Sequence, residues 1–254
     1  FDPPLGEVPR RVDVRDRALP PGHPGTPERI RERLAKKPRH WLDWYEGRYR
    51  NPEGGPITFV PAALSHDQLR EVDAMIQVEN ELIDEAVGRL LAFLRERSID
   101  EHTDVIFTSD HGELQGDHGL MFKGPYHVES LLRVPLIWRP APSAGIPPAT
   151  IDEPVGLVDL APTFSAIAGI SPLAEMQGEV LPTASGSDRE RVITSFDSQF
   201  RSVGMHLRTI YRDGFICTTY APSSYDRGGR FALYWAISGR GSQIPRYDGS
   251  EGEL

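Results

Sequence analysis

Leu69, Val72, Ile76, Ile83, Val87, Leu90 and Leu94 recur at helical spacing, with Arg70, Glu71, Glu79, Glu85 and Arg89 on the opposite face. Ser65 followed three residues later by Gln68 forms a capping-box signature at the start of this run. The spacing therefore predicts one amphipathic helix from about residue 65 to Arg97, with an apolar stripe that needs a sheet to cover. A connection at 98–103 leads into Asp104-Val105-Ile106-Phe107-Thr108-Ser109, which reads as a buried strand. A long helix feeding a short apolar strand is the pattern of an α/β domain with a parallel or mixed sheet flanked by helices.

The rest of the chain can be read around that unit. A short helix is expected from Pro27 to Ala35, with Thr26 as N-cap and Pro27 in the first turn. Otherwise residues 1–64 read as an irregular excursion rich in Pro, Gly and Arg. Its cluster Trp41, Trp44, Tyr45 and Tyr49 suits either a ring-stacking flap or core packing. Arg133–Trp138 and Arg191–Phe196 are candidate strands, and Val158–Ile167 a helix ended by Gly169. Leu207–Tyr211, the Asp213-Gly214 turn and Phe215–Tyr220 read as a β-hairpin, with a further strand expected at 230–237. Two units are expected: an α/β part over 1–190 and a small antiparallel β subdomain over 191–254.

Composition narrows the function. With 254 residues the chain is long enough to bury a substantial core, and its formal net charge of -9 argues against a broad nucleic-acid footprint. No apolar run has the length of a membrane span. A single cysteine, Cys217, excludes an internal disulfide, and its place in the predicted hairpin suggests a small buried hydrophobe. Phe1-Asp2-Pro3-Pro4 lacks an initiator methionine and the features of a signal peptide, so a chain cut from a longer one is expected. Compartment and oligomeric state stay open.

Asp110-His111-Gly112-Glu113 directly follows the strand at 104–109. In open α/β sheets, ligands bind beyond the carboxyl ends of strands. Gly116, Gly119 and Gly124 keep the following stretch as loop, and that loop carries Asp117, His118, Lys123 and His127. A carboxylate, imidazoles and an ammonium on one such loop are what a metal-plus-anion site requires. Any one of them alone reads more simply as a turn or solvated surface residue.

The ordered series is more specific. Val105–Glu113, Gly116-Asp117-His118-Gly119-Leu120, Lys123 and Arg133-Val134-Pro135-Leu136-Ile137 together resemble the sulfatase family of the alkaline phosphatase superfamily. Leu157–Thr163, Met176-Gln177-Gly178 and Arg208–Phe215 match its later landmarks in order, so the resemblance runs from about residue 65 to the end. It implies an alkaline phosphatase-like fold and one divalent metal held by Asp110 and His111, with Ca, Mn, Mg and Zn not distinguished. An imidazole at position 111 suits Mn, Zn or Fe better than Ca. The resemblance implies catalytic and substrate-binding roles for Lys123 and, on a looser match, His127. Asp117 and His118 are expected to serve the loop's structure.

One departure stands out. The family's nucleophile lies in Cys/Ser-x-Pro-x-Arg and is converted to formylglycine, and no such pentapeptide occurs in residues 1–254. Its N-terminal aspartate pair is also unmatched. The nucleophile is therefore expected in a preceding half, and residues 1–254 alone are expected to be inactive. The implied reaction is hydrolysis of a sulfuric ester, with a small sulfate, phosphate or phosphonate ester as substrate. A phosphonate monoester or phosphodiester hydrolase is the alternative enzyme, and a non-catalytic anion-binding homologue the alternative from another class.

Overall fold

The computed structural model describes residues 17–47, 60–186, 188–197, 206–220 and the backbone of 252–253. The helix α1 spans Pro27–Leu34. Thr26 accepts a hydrogen bond from the Arg29 N–H, Glu28 sits in the positive first turn, and Arg31 and Arg33 lie in the last. Ile30 and Leu34, four apart, face the core. A second helix, α2, spans Arg39–Tyr45. Trp41, Trp44 and Tyr45 fall on its inner side at i, i+3 and i+4 and are almost completely buried.

Helix α1 lies where the sequence placed it, with Thr26 as its N-cap, whereas α2 corrects the expectation of an otherwise irregular excursion. Ile30, Leu34, Trp41, Trp44 and Tyr45 form one cluster with Leu114, Leu120, Tyr126 and Leu131 from the later loop. The aromatic cluster is thus core and not a flap; Tyr49 lies outside the described residues. Seven residues are two turns, too few for a periodic signal, so tertiary burial decides this helix.

Helix α3 covers His66–Glu96. The capping box is formed, with the Ser65 hydroxyl accepting from the Gln68 N–H and the Gln68 side chain accepting from the Ser65 N–H. The segment before α1 is tied to it by an ion pair between Arg17 and Asp73 at 2.7 Å and by Arg70 donating to the Arg17 carbonyl. Among the described residues it touches the strand Leu114–Gln115, but most of its apolar stripe is uncovered. Leu69 and Leu94 near its ends are buried, while Leu82, Ile83 and Leu90 between them remain about half exposed.

Strand β1 (Val105–Thr108) follows, then a two-residue hairpin of β2 (Leu114–Gln115) and β3 (Met121–Phe122), helix α4 (Glu129–Leu132) and strand β4 (Leu136–Arg139). β4 lies antiparallel to β1, with Val105 opposite Arg139 and Thr108 opposite Leu136. Every strand pair among the described residues is antiparallel, which corrects the expected parallel or mixed sheet. The connection between β1 and β4 explains this. It holds one short helix and a hairpin and returns to the end of the sheet it left, whereas a parallel pair needs a full crossover.

Helix α5 (Leu160–Ile167) ends before Gly169. An antiparallel sheet β5-β6-β7-β8 then forms from Arg191–Asp197, His206–Arg212, Phe215–Tyr220 and Gly252–Glu253. Asp213 and Gly214 both have positive φ, as a two-residue hairpin between right-twisted strands requires. Cys217 lies on β7 as expected but is only partly buried. The strand expected at 230–237 lies outside the described residues. No helix among them is long and apolar enough to cross a membrane.

Candidate active site

The site starts where β1 ends. Ser109 donates to the His111 carbonyl at 2.8 Å, and the Asp110 carboxylate accepts from the His111 N–H at 2.9 Å. The chain thus turns on itself within two residues. Gly112 completes the turn by donating its N–H to the Leu131 carbonyl at 2.9 Å. A Cβ at 112 would lie 1.9 Å from the Ser130 carbonyl oxygen, so only glycine lets the turn seat on α4. That contact fixes the height of the Asp110-His111 pair above the sheet.

Lys123, the residue after β3, reaches the pair. Phe122 has φ of 66°, a left-handed backbone costly for a bulky residue, and it redirects the chain just before Lys123. The ammonium comes to 3.0 Å from His111 Nε2. An ammonium only donates, so Nε2 accepts, and the imidazole proton sits on Nδ1, which donates to the Gly112 carbonyl at 2.8 Å. That is the tautomer of a metal ligand whose other nitrogen is fixed by a backbone oxygen. Asp110 Oδ2 lies 3.5 Å from His111 Nε2, close enough for both to contact one ion at ordinary ligand distances of about 2.1 Å. The hydrogen bond from the His111 N–H holds the Asp110 carboxyl below its usual range. Burial pushes the neighbouring Glu113 carboxyl up, against the opposing charge of Lys123. Among the described residues, no group of three or more His, Cys, Asp or Glu side chains forms a complete metal cage. The Asp110-His111 pair has the donor types of part of a divalent site, which would take its remaining ligands from other groups.

Asp110, His111, Lys123 and His127 all line one broad cavity of about 2330 Å³, and the first three are in direct contact. His127 is almost fully buried, and its Nδ1 lies 2.5 Å from the Thr209 hydroxyl on β6. Asp117 and His118 do not line the cavity. The His118 N–H donates to the Gly22 carbonyl and its ring meets Trp41 edge-on, which ties the loop to the α1–α2 unit.

Other residues of the cavity wall were not legible as site residues. Asp159, just before α5, accepts from the N–H groups of Gly156 and Glu179 and from Arg189 at 2.6 Å. Burial raises its carboxyl, but Arg189 and the two backbone donors outweigh that and hold it below its usual range. His40 reaches the wall from α2, 1% exposed and stacked on Tyr126 at 5.2 Å. Asp159 stood within a recognised landmark without an assigned role. Nothing in the local sequence marks His40.

Comparison with known proteins identifies the family. Residues 39–170 match the family model for sulfatases. An uncharacterised sulfatase, YidJ, of Escherichia coli is 31% identical over 152 residues, 60% of this chain and 27% of its own length. The multifunctional alkaline phosphatase superfamily protein PehA of Trinickia caryophylli is 40% identical over 80 residues, 32% of this chain and 15% of its own length. The fold resembles a phosphonate monoester hydrolase from Silicibacter pomeroyi, with a TM-score of 0.66 at 21% identity over 94% of this chain and 51% of that one. The chain thus spans about a quarter or less of these two curated relatives and about half of the solved structure. With more than half of its residues matched by the family model, the chain belongs to the sulfatase family of the alkaline phosphatase superfamily.

Proposed function

We propose that the protein is a metal-dependent sulfuric ester hydrolase in which residues 1–254 supply one wall of the active site. The observation that carries this reading is the cluster Asp110, His111 and Lys123: a metal-type imidazole tautomer, a carboxylate 3.5 Å from it and an ammonium at 3.0 Å, all on one cavity. Asp110 and His111 would hold a divalent cation, which supplies positive charge against the non-bridging oxygens of the ester. Lys123 binds a sulfuryl oxygen and stabilises the charge that grows on the leaving oxygen. His127, on the same cavity, donates a hydrogen bond to substrate. The nucleophile, a formylglycine in this reading, comes from outside residues 1–254, so this chain alone is inactive. The division into an α/β part over 1–190 and a β subdomain over 191–254 belongs to the same proposal.

A second reading, a phosphonate monoester or phosphodiester hydrolase, is favoured by the imidazole at 111 and by the 40% identity of an 80-residue stretch to a multifunctional superfamily member. Sulfate and phosphonate esters present the same tetrahedral oxygens to Lys123, so one assay separates the readings. The full-length protein should hydrolyse an aryl sulfate with higher kcat/KM than an aryl phosphonate. Lys123→Ala should lower kcat on the sulfate by about 10²–10³-fold. Preference for the phosphonate would replace the first reading with the second. No turnover of either by the metal-loaded protein would overturn both.

A further inference from the structure

The β6–β7 hairpin reaches the cavity through two buried hydroxyls. Thr209 and Thr218 are cross-strand partners, 2% and 1% exposed, with hydroxyl oxygens 2.8 Å apart. Thr209 also lies 2.5 Å from His127 Nδ1. The row is His127, Thr209, Thr218, with two contacts and two hydroxyl protons to fill them.

Two directions of donation are open. In one, His127 carries its proton on Nδ1 and donates to Thr209, and Thr209 donates to Thr218. The Thr218 proton is then left without an acceptor among the described residues. In the other, Thr218 donates to Thr209 and Thr209 donates to His127 Nδ1, so both hydroxyl protons are used. A buried donor left unpaired costs more than a bond gained, so the second direction is favoured.

We infer that Thr209 is a positioning residue which, backed by Thr218, holds His127 neutral with its proton on Nε2, making it a hydrogen-bond donor and not a general base. This rests on the proposed function, in which His127 faces substrate. The antiparallel sheet thereby acquires a specific role, because the cross-strand register of Thr209 and Thr218 sets the tautomer of a histidine 82 residues upstream of Thr209. His111 and His127 then present opposite faces, a lone pair at His111 Nε2 and an N–H at His127 Nε2.

The test is long-range proton–nitrogen correlation on the full-length protein with ¹⁵N-labelled histidine, the His127 signals being assigned by their loss in His127→Gln. The expected pattern is an unprotonated Nδ1 and a protonated Nε2. Thr209→Val and Thr218→Val should each mix the tautomers, and Thr209→Ser should restore the single form. On an aryl sulfate, Thr209→Val should lower kcat about three- to tenfold with KM little changed, and Thr209→Ser should recover it. A protonated Nδ1 in the unsubstituted protein, or a pattern unaltered by Thr209→Val, overturns the inference. The expected tautomer in a protein without ester hydrolysis would instead sink the proposed function while leaving the inference standing.

Discussion

His40 makes the stability of the protein depend on acid in a way that a single substitution can isolate. Its ring is 1% exposed, stacked on Tyr126 and edge-on to Tyr220 at 5.5 Å, with Nε2 3.1 Å from the Pro125 carbonyl. Burial opposes the charged form and outweighs the help of that carbonyl, so its pKa is pushed down to about 3. The unfolded chain binds this proton near pH 6.5. Between those values only the unfolded state takes it up, so stability is complete above about pH 6.5 and falls as pH drops toward 3. The slope approaches about 1.4 kcal/mol per pH unit, and the loss from this one group between pH 7.5 and 5.0 is about 2 kcal/mol. The assay is urea unfolding of the protein and of His40→Gln, whose amide can still donate to Pro125, at both pH values. His40→Gln is less stable at pH 7.5, but its loss on acidification is smaller by about 2 kcal/mol. Equal losses in the two proteins would show that His40 takes up its proton in place, and burial would then not govern its charge.

Three further perturbations test other parts of the structure. Asp159→Asn leaves Arg189, with a side chain 12% exposed, with Glu179 at 3.3 Å as its remaining charged partner among the described residues, and should cost about 3 kcal/mol, read as a drop of roughly 6–12 °C in melting temperature. A change within about one degree would contradict the proposed weight of that pair. Because the Asp159 carboxyl is held low, its contribution is complete above about pH 4 and disappears as pH falls further, so the wild-type advantage over Asp159→Asn should vanish on acidification. Gly112→Ala drives a Cβ into the Ser130 carbonyl and should displace the Asp110-His111 turn; hydrolysis by the full-length protein should fall at least tenfold, and unchanged turnover would show that the turn's seat on α4 does not set the site. Calorimetric titration of residues 1–254 with Mn²⁺ or Zn²⁺ should show only weak binding, since two side chains make an incomplete cage; tight binding would mean that the ligand set lies wholly in this chain.

Local signals carried much of this structure. Ser65 and Gln68 marked the start of α3 to the residue, Asp213-Gly214 marked the hairpin, and Gly169 marked the end of α5. Each depends on neighbours a few residues away, where stereochemistry leaves little choice. Asp110, His111, Lys123 and His127 were nominated because one loop carries all four and the family's landmarks frame it, and all four line the same cavity. What escaped depends on distant partners. α2 exists because Trp41, Trp44 and Tyr45 find Leu114, Leu120 and Tyr126 across the core. The antiparallel pairing of β1 with β4 depends on the route of the loop between them, not on either strand's composition. The left-handed Phe122 and the Thr209 bond to His127 have no local sign at all, since phenylalanine and threonine are ordinary strand residues.

The most direct test of the site is anomalous diffraction from crystals of the full-length protein soaked in Mn²⁺, measured against His111→Ala. One strong peak is expected within ligand distance, about 2–2.3 Å, of both an Asp110 carboxylate oxygen and His111 Nε2, with the Lys123 ammonium turned from His111 toward the bound anion, and no peak in His111→Ala. A peak elsewhere in the cavity, or one that persists without the imidazole, would contradict a metal held by this pair.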